Sequence, residues 1–144
     1  MIVYVDASAL VKRYVFEQGS EAVEGLLREA DHTGTSIISR AEVSAAIGRA
    51  ARAGGLVEQE AAAAVRLFRS DWPHLVRIRV DETTVARADL LAWIHELRGY
   101  DAIHLACALS WAEAVGEDVL LATYDRELWE AAAAEGLLPW PMEF

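Results

Sequence analysis

Asp6, Glu42, Asp101 and Asp125 each stand at the start of a helical pattern rather than on a solvated helical face. Asp6 closes the run Ile2-Val3-Tyr4-Val5, after which small residues and a helical pattern follow through Ala7-Ser8-Ala9-Leu10. That succession reads as strand, tight turn and helix, so the acid falls at a strand's carboxyl end, where open α/β folds bind ligands. An acid in such a place is kept for function or paired with a base. Carboxylates gathered together repel, and they persist only when a proton or a cation neutralises them. A dry patch of three or four is a hard-oxygen site suited to Mg²⁺ or Mn²⁺, the setting for phosphoryl chemistry by a metal-activated water.

Each acid also has a plain structural role. Ser39 and Glu42 fit a capping box, with Glu42 bonding back to the cap backbone. Asp101 and Asp125 suit helix N-caps, accepting from free N–H groups and favoured by the helix dipole. Taken singly, capping accounts for Glu42 and can account for Asp125. The remaining acids fall on polar helical faces or in loops, where they solvate the surface.

The elements that must position these acids alternate. Ile2 to Val5, Thr35 to Ile38, Leu75 to Val80 and Val119 to Ala122 read as strands, with long helical patterns between them. This predicts an α/β fold with a mostly parallel sheet covered by helices on both faces. Helices are expected from Ser8 to about Phe16 and from Ser20 onward. Val43, Ala46, Ile47 and Ala50 recur at helical spacing up to Gly54-Gly55, and Val57, Ala61, Ala64, Val65 and Phe68 resume the period in an alanine-rich hairpin. That hairpin either packs internally or offers a groove to a partner or a second subunit. Further helices are expected over Thr83 to His95, Asp101 to Val115 and Asp125 to Ala134, and the tail Pro139-Trp140-Pro141 should close an edge.

The 144 residues make one domain, with 54% hydrophobic and 25% charged content, enough for a core without disulfides or structural metal. No apolar run approaches a bilayer span, and Asp6 interrupts the first one too early for a signal peptide, so a cytoplasmic protein is expected. Cys107, the only cysteine, lies in an apolar run and reads as a small buried hydrophobe. Thirteen basic residues against 23 acidic ones give a net charge of -10. That balance argues against a protein that grips nucleic acid with its whole surface, and it does not exclude a basic rim beside an acidic pocket.

Four pieces of the chain together resemble the PIN domain family, and within it the VapC-type ribonuclease toxins. They are Tyr4 to Lys12, Ser39-Arg40-Ala41-Glu42, Tyr100 to Ala106, and Ala122 to Leu128. Each is weak alone; in this order and spacing they are specific. The resemblance implies a three-layer α/β/α sandwich over residues 1–144 and a Mg²⁺-dependent endoribonuclease, with Mn²⁺ as a possible substitute. Asp6 and Asp101 would be the principal metal ligands, Glu42 and Asp125 would complete the site, and Thr123 would line the pocket. His104, three residues after Asp101 on the same helical face, would order or pack rather than catalyse. Lys12, Arg13 and Arg40 follow the acids closely and are candidates for flanking phosphates, with solvated helix ends as the alternative. The family resemblance further implies a homodimer silenced by a small antitoxin, and the charge of -10 would suit a basic antitoxin segment.

Rival chemistries fail on specific positions. A receiver domain needs a lysine after a late strand, and Lys12 is the only lysine; a haloacid-dehalogenase-type phosphatase needs an acid where Ser8 stands. No glycine-rich nucleotide loop is present. Two alternatives stay open: an inactive PIN-like binding or scaffolding module, and an RNA-processing nuclease outside a toxin-antitoxin operon.

Overall fold

The computed structural model describes residues 1–144. Five strands form one parallel sheet: β1 (Ile2–Val5), β2 (His32–Ser36), β3 (Val76–Ile78), β4 (Val119–Ala122) and β5 (Leu138–Trp140), in the spatial order β3-β2-β1-β4-β5. Seven helices connect and cover them: α1 (Ala7–Leu10), α2 (Ser20–Glu29), α3 (Ser39–Arg52), α4 (Glu58–Asp71), α5 (Glu82–His95), α6 (Gly99–Val115) and α7 (Arg126–Ala134).

The central strand explains the three layers. All four residues of β1 are buried, because a parallel strand has both faces covered. Ile2 and Tyr4 enter one core with Leu91, Leu105, Leu121 and Leu128, contributed by α5, α6, β4 and α7. Val3 and Val5 enter the other with Leu10, Val43, Ile47 and Phe68, from α1, α3 and α4. The sheet grows from β1 through β2 to β3 on one side, then resumes with β4 on the other. That reversal opens a crevice beyond the carboxyl ends of β1 and β4. No helix is long and apolar enough to cross a membrane.

Several boundaries differ from the sequence expectation. The first helix stops at Leu10 and tightens into a three-ten turn over Val11–Arg13, where the Tyr14 N–H reaches back to the Val11 carbonyl. The second strand lies earlier than Thr35 to Ile38, because its polar run His32–Ser36 pairs with β1 and Ile38 becomes the residue preceding α3. Burial beside Trp111, whose ring would meet a Cβ on Gly34 at 2.6 Å, overrides the weak strand propensity of that segment. The third strand is only Val76–Ile78, and the carboxyl-terminal tail is a true strand, β5, with Pro139 tolerated at an edge. The α3–α4 hairpin forms as expected, with Gly54 in the left-handed region (φ 82°) at its turn.

Candidate active site

Asp6 leaves the end of β1 and caps α1, its Oδ1 accepting from the Ala9 N–H at 2.9 Å. The Ser8 hydroxyl donates to the same carboxylate at 2.7 Å, and Thr123, just beyond β4, donates to Oδ2 at 2.7 Å. The Asp6 residue is 2% exposed. Burial pushes its pKa up; the hydrogen bonds from Ser8, Thr123 and the Ala9 N–H pull it back. The Tyr124 N–H donates to Ser8 Oγ at 2.9 Å and the Asp125 N–H to Thr123 Oγ1 at 3.0 Å. The turn after β4 is thereby tied to the turn after β1.

Asp125 caps α7, its Oδ1 accepting from the Leu128 N–H at 2.9 Å. Asp101 is not a cap. It lies in the first turn of α6, whose N-cap position is Arg98. The Arg98 guanidinium donates from Nε to Asp101 Oδ2 at 2.9 Å and from its terminal nitrogen to Asp125 Oδ2 at 2.8 Å. One planar fork thus joins acids from two elements. Burial raises the Asp101 pKa to about 6, the charges of Asp125 and Asp6 add to the shift, and Arg98 opposes it.

Glu42 projects from the first turn of α3, and the capping box expected with Ser39 does not form. Ser39 is fully buried, its hydroxyl 2.6 Å from Thr35 Oγ1, while Glu42 Oε1 lies 2.7 Å from His104 Nε2. His104 Nδ1 lies 2.7 Å from the Tyr4 hydroxyl. A carboxylate only accepts, so Nε2 carries the proton donated to Glu42. Burial holds the Tyr4 hydroxyl protonated, so it donates to Nδ1.

All four acids line one cleft of about 850 Å³, together with Ser8, Lys12, Arg49, Arg98 and His104. The expected basic residues divide. Lys12 is at the cleft, but its ammonium is held by Glu17 and the Gln18 carbonyl and stands 4.3 Å from the Tyr124 ring centroid. Arg13 turns away to Asp71 and lines a different cavity. Arg40 lies 6.0 Å from the Trp72 ring centroid and outside the cleft lining. Thr123 is fully buried, so it supports Asp6 rather than offering a surface to a substrate.

Three cleft residues escaped the sequence reading. Ser8 could have been found as a hydroxyl two residues after a strand-ending acid, and Arg98 as a charge three residues before Asp101. Arg49 follows Glu42 by two helical turns and lines the same cleft without a hydrogen bond or ion pair.

The donor set suits a hard divalent ion: four carboxylates with oxygen ligands only. In the side-chain arrangement described, however, no three His, Cys, Asp or Glu residues converge at ligating positions. The reason is visible: Asp101 and Asp125 turn to Arg98, and Glu42 turns to His104. An ion received here would require Asp101 and Asp125 to turn from Arg98, with Asp6 fixed and Glu42 held by His104.

A family model described as PIN domain matches residues 3–134. The chain is 39% identical over 136 residues to Ribonuclease VapC49 of Mycobacterium tuberculosis (strain ATCC 25618 / H37Rv), covering 94% of this chain and 92% of that one. Among solved structures it resembles PAE2754 from Pyrobaculum aerophilum, with TM-score 0.66, 22% identity, and 96% and 83% of the two chains covered. It also resembles a chain of a toxin-antitoxin complex from Klebsiella pneumoniae, with TM-score 0.57, 15% identity, and 83% and 84% covered. With the family model spanning residues 3–134 and 39% identity over most of both chains, the chain belongs to the PIN domain family, alongside the VapC proteins.

Proposed function

We propose that this protein is a metal-dependent endoribonuclease and the toxin of a VapBC-like toxin-antitoxin pair. The observation that carries the reading is the gathering of Asp6, Glu42, Asp101 and Asp125, from four separated stretches of chain, on one cleft at the carboxyl end of a parallel sheet. The 39% identity to a ribonuclease supports that chemistry, and the likeness to a chain of the Klebsiella pneumoniae toxin-antitoxin complex supports an antitoxin partner.

Asp6, Asp101, Glu42 and Asp125 would hold Mg²⁺, or Mn²⁺ in its place, which supplies a Lewis acid for a phosphodiester oxygen and lowers the pKa of a bound water. Asp6 is fixed by three donors and needs no reorganisation. Glu42 has Oε1 engaged by His104, while Oε2 makes no protein hydrogen bond and is the atom to take a proton from the attacking water. The products would be a 5′-phosphate and a 3′-hydroxyl, with no covalent enzyme intermediate. Leu90, Trp93 and Ile94, all exposed on α5, give a homodimer an apolar face to bury.

Arg98 seated on Asp101 and Asp125 favours a second reading, a PIN fold kept as a binding module without activity. One experiment separates the two: cleavage of an RNA panel with Mg²⁺ or Mn²⁺, with chelator, and with Asp6→Asn. Metal-dependent cleavage lost on that substitution supports the nuclease. Cleavage indifferent to chelation and to Asp6→Asn would sink the mechanism, and no cleavage in any condition supports the binding module.

A further inference from the structure

We propose that Arg98 is a resident counter-cation of the acidic cleft, which a divalent ion must displace from Asp101 and Asp125. The inference rests on the metal-dependent reading above and adds a competitor within the same chain.

Four observations support it. The guanidinium makes two charge-assisted hydrogen bonds, at 2.9 and 2.8 Å, to carboxylates on different elements, so it ties the start of α6 to the start of α7. Asp101 has a side chain only 5% exposed, and a buried acid beside other acids needs a neutralising partner. Arg98 itself is 56% exposed and precedes the first turn of α6, so its withdrawal opens no cavity in the core. The Tyr100 ring, its centroid 4.8 Å from the guanidinium carbon, keeps a stacking surface beside it.

The other cations at the cleft do not share this role. Lys12 is committed to Glu17 and the Gln18 carbonyl, and Arg49 contacts no acid. Arg98 therefore sets the concentration of divalent ion at which Asp101 and Asp125 are released. It is a positioning residue: in the metal-free protein it holds the two carboxylates in place without touching the reacting atoms.

The test is Mn²⁺ binding to the full chain, followed by electron paramagnetic resonance and calorimetry, for wild type, Arg98→Ala, Arg98→Lys and Arg49→Ala. Arg98→Ala should bind Mn²⁺ roughly three- to tenfold tighter, the range expected when two half-exposed charge-assisted bonds no longer compete. Arg98→Lys, which keeps the charge but not the fork, should fall between Arg98→Ala and wild type. Arg49→Ala removes a charge from the same cleft without freeing an acid and should change affinity by less than about twofold. Without metal, Arg98→Ala should melt below wild type, and saturating Mn²⁺ should narrow that gap. If Arg98→Ala does not fold, Arg98→Gln carries the same expectation. Mn²⁺ bound by wild type with equal or greater affinity than by the Arg98 variants overturns the counter-cation alone. Absence of Mn²⁺ binding in every variant overturns the metal reading with it.

Discussion

His104 holds Glu42: its Nε2 lies 2.7 Å from Glu42 Oε1, across a fully buried ring whose other nitrogen meets Tyr4 at 2.7 Å. A buried strand residue thus orients an acid on a different helix through a third element. His104→Ala should cost about 2–4 kcal/mol in urea unfolding, from lost packing and an unpartnered Tyr4 hydroxyl. It should also slow RNA cleavage about 10–100-fold, the usual range when a supporting residue is lost. His104→Gln, which can place a donor near the former Nε2, should recover more cleavage than stability. Equal cleavage by His104→Ala and wild type would show that Glu42 needs no such support.

Asp6 behaves differently, because its own burial opposes its charge. Its folded pKa lies above the ordinary value, chiefly through burial. The sign follows: the contribution to stability is full below the unfolded pKa and is lost as pH rises through the folded one. In its ionised form the acid is therefore a cost to the fold. Asp6→Asn should unfold at an equal or higher urea concentration than wild type near pH 7, while cleavage falls by more than about a hundredfold. A marked loss of stability would mean that Asp6 is a structural acid.

Asp101 adds its own pH dependence to the metal-free protein. Burial lifts its carboxyl from 3.8 to about 6, against the opposing Arg98. Stability from this group is present below about pH 4 and is lost as pH rises through about 6. In chelator, the stability difference between wild type and Asp101→Asn should shift by on the order of 1–3 kcal/mol across that window, wild type losing ground as pH rises. A difference that stays flat would remove burial as the dominant influence on Asp101.

The acids were legible because each follows an abrupt change of pattern: an apolar strand ends at Asp6, and helical periods begin near Glu42, Asp101 and Asp125. The parallel architecture was legible in the alternation of strands and helices. What was not legible required contacts between distant segments. His32–Ser36 carries a polar, glycine-containing pattern that propensity does not favour, and its strand exists because β1 and Trp111 are there to receive it. Ser39 and Glu42 suit a capping box locally, yet Thr35 and His104 claim both side chains. The bond from Arg98 to Asp125 spans 27 residues and depends on α6 and α7 starting side by side.

Thr123 links two of the acids through one hydroxyl. It donates to Asp6 Oδ2 at 2.7 Å while its oxygen accepts the Asp125 N–H at 3.0 Å, so its proton and its lone pair are both committed. Thr123→Val keeps the shape and removes both bonds, leaving Asp6 Oδ2 with only the Ser8 hydroxyl, shared with Oδ1, and the Asp125 N–H without its acceptor. Unfolding experiments should show a loss of about 1–3 kcal/mol. Ionised Asp6 also loses a stabilising donor, so the pH at which cleavage is half-maximal should move upward. Thr123→Ser retains the hydroxyl and should restore that midpoint even if the missing methyl leaves some stability unrecovered. A pure packing role would give the reverse order, with Thr123→Val close to wild type and Thr123→Ser the weaker protein. The cleavage midpoint then separates a hydroxyl that tunes Asp6 from a side chain that only fills space.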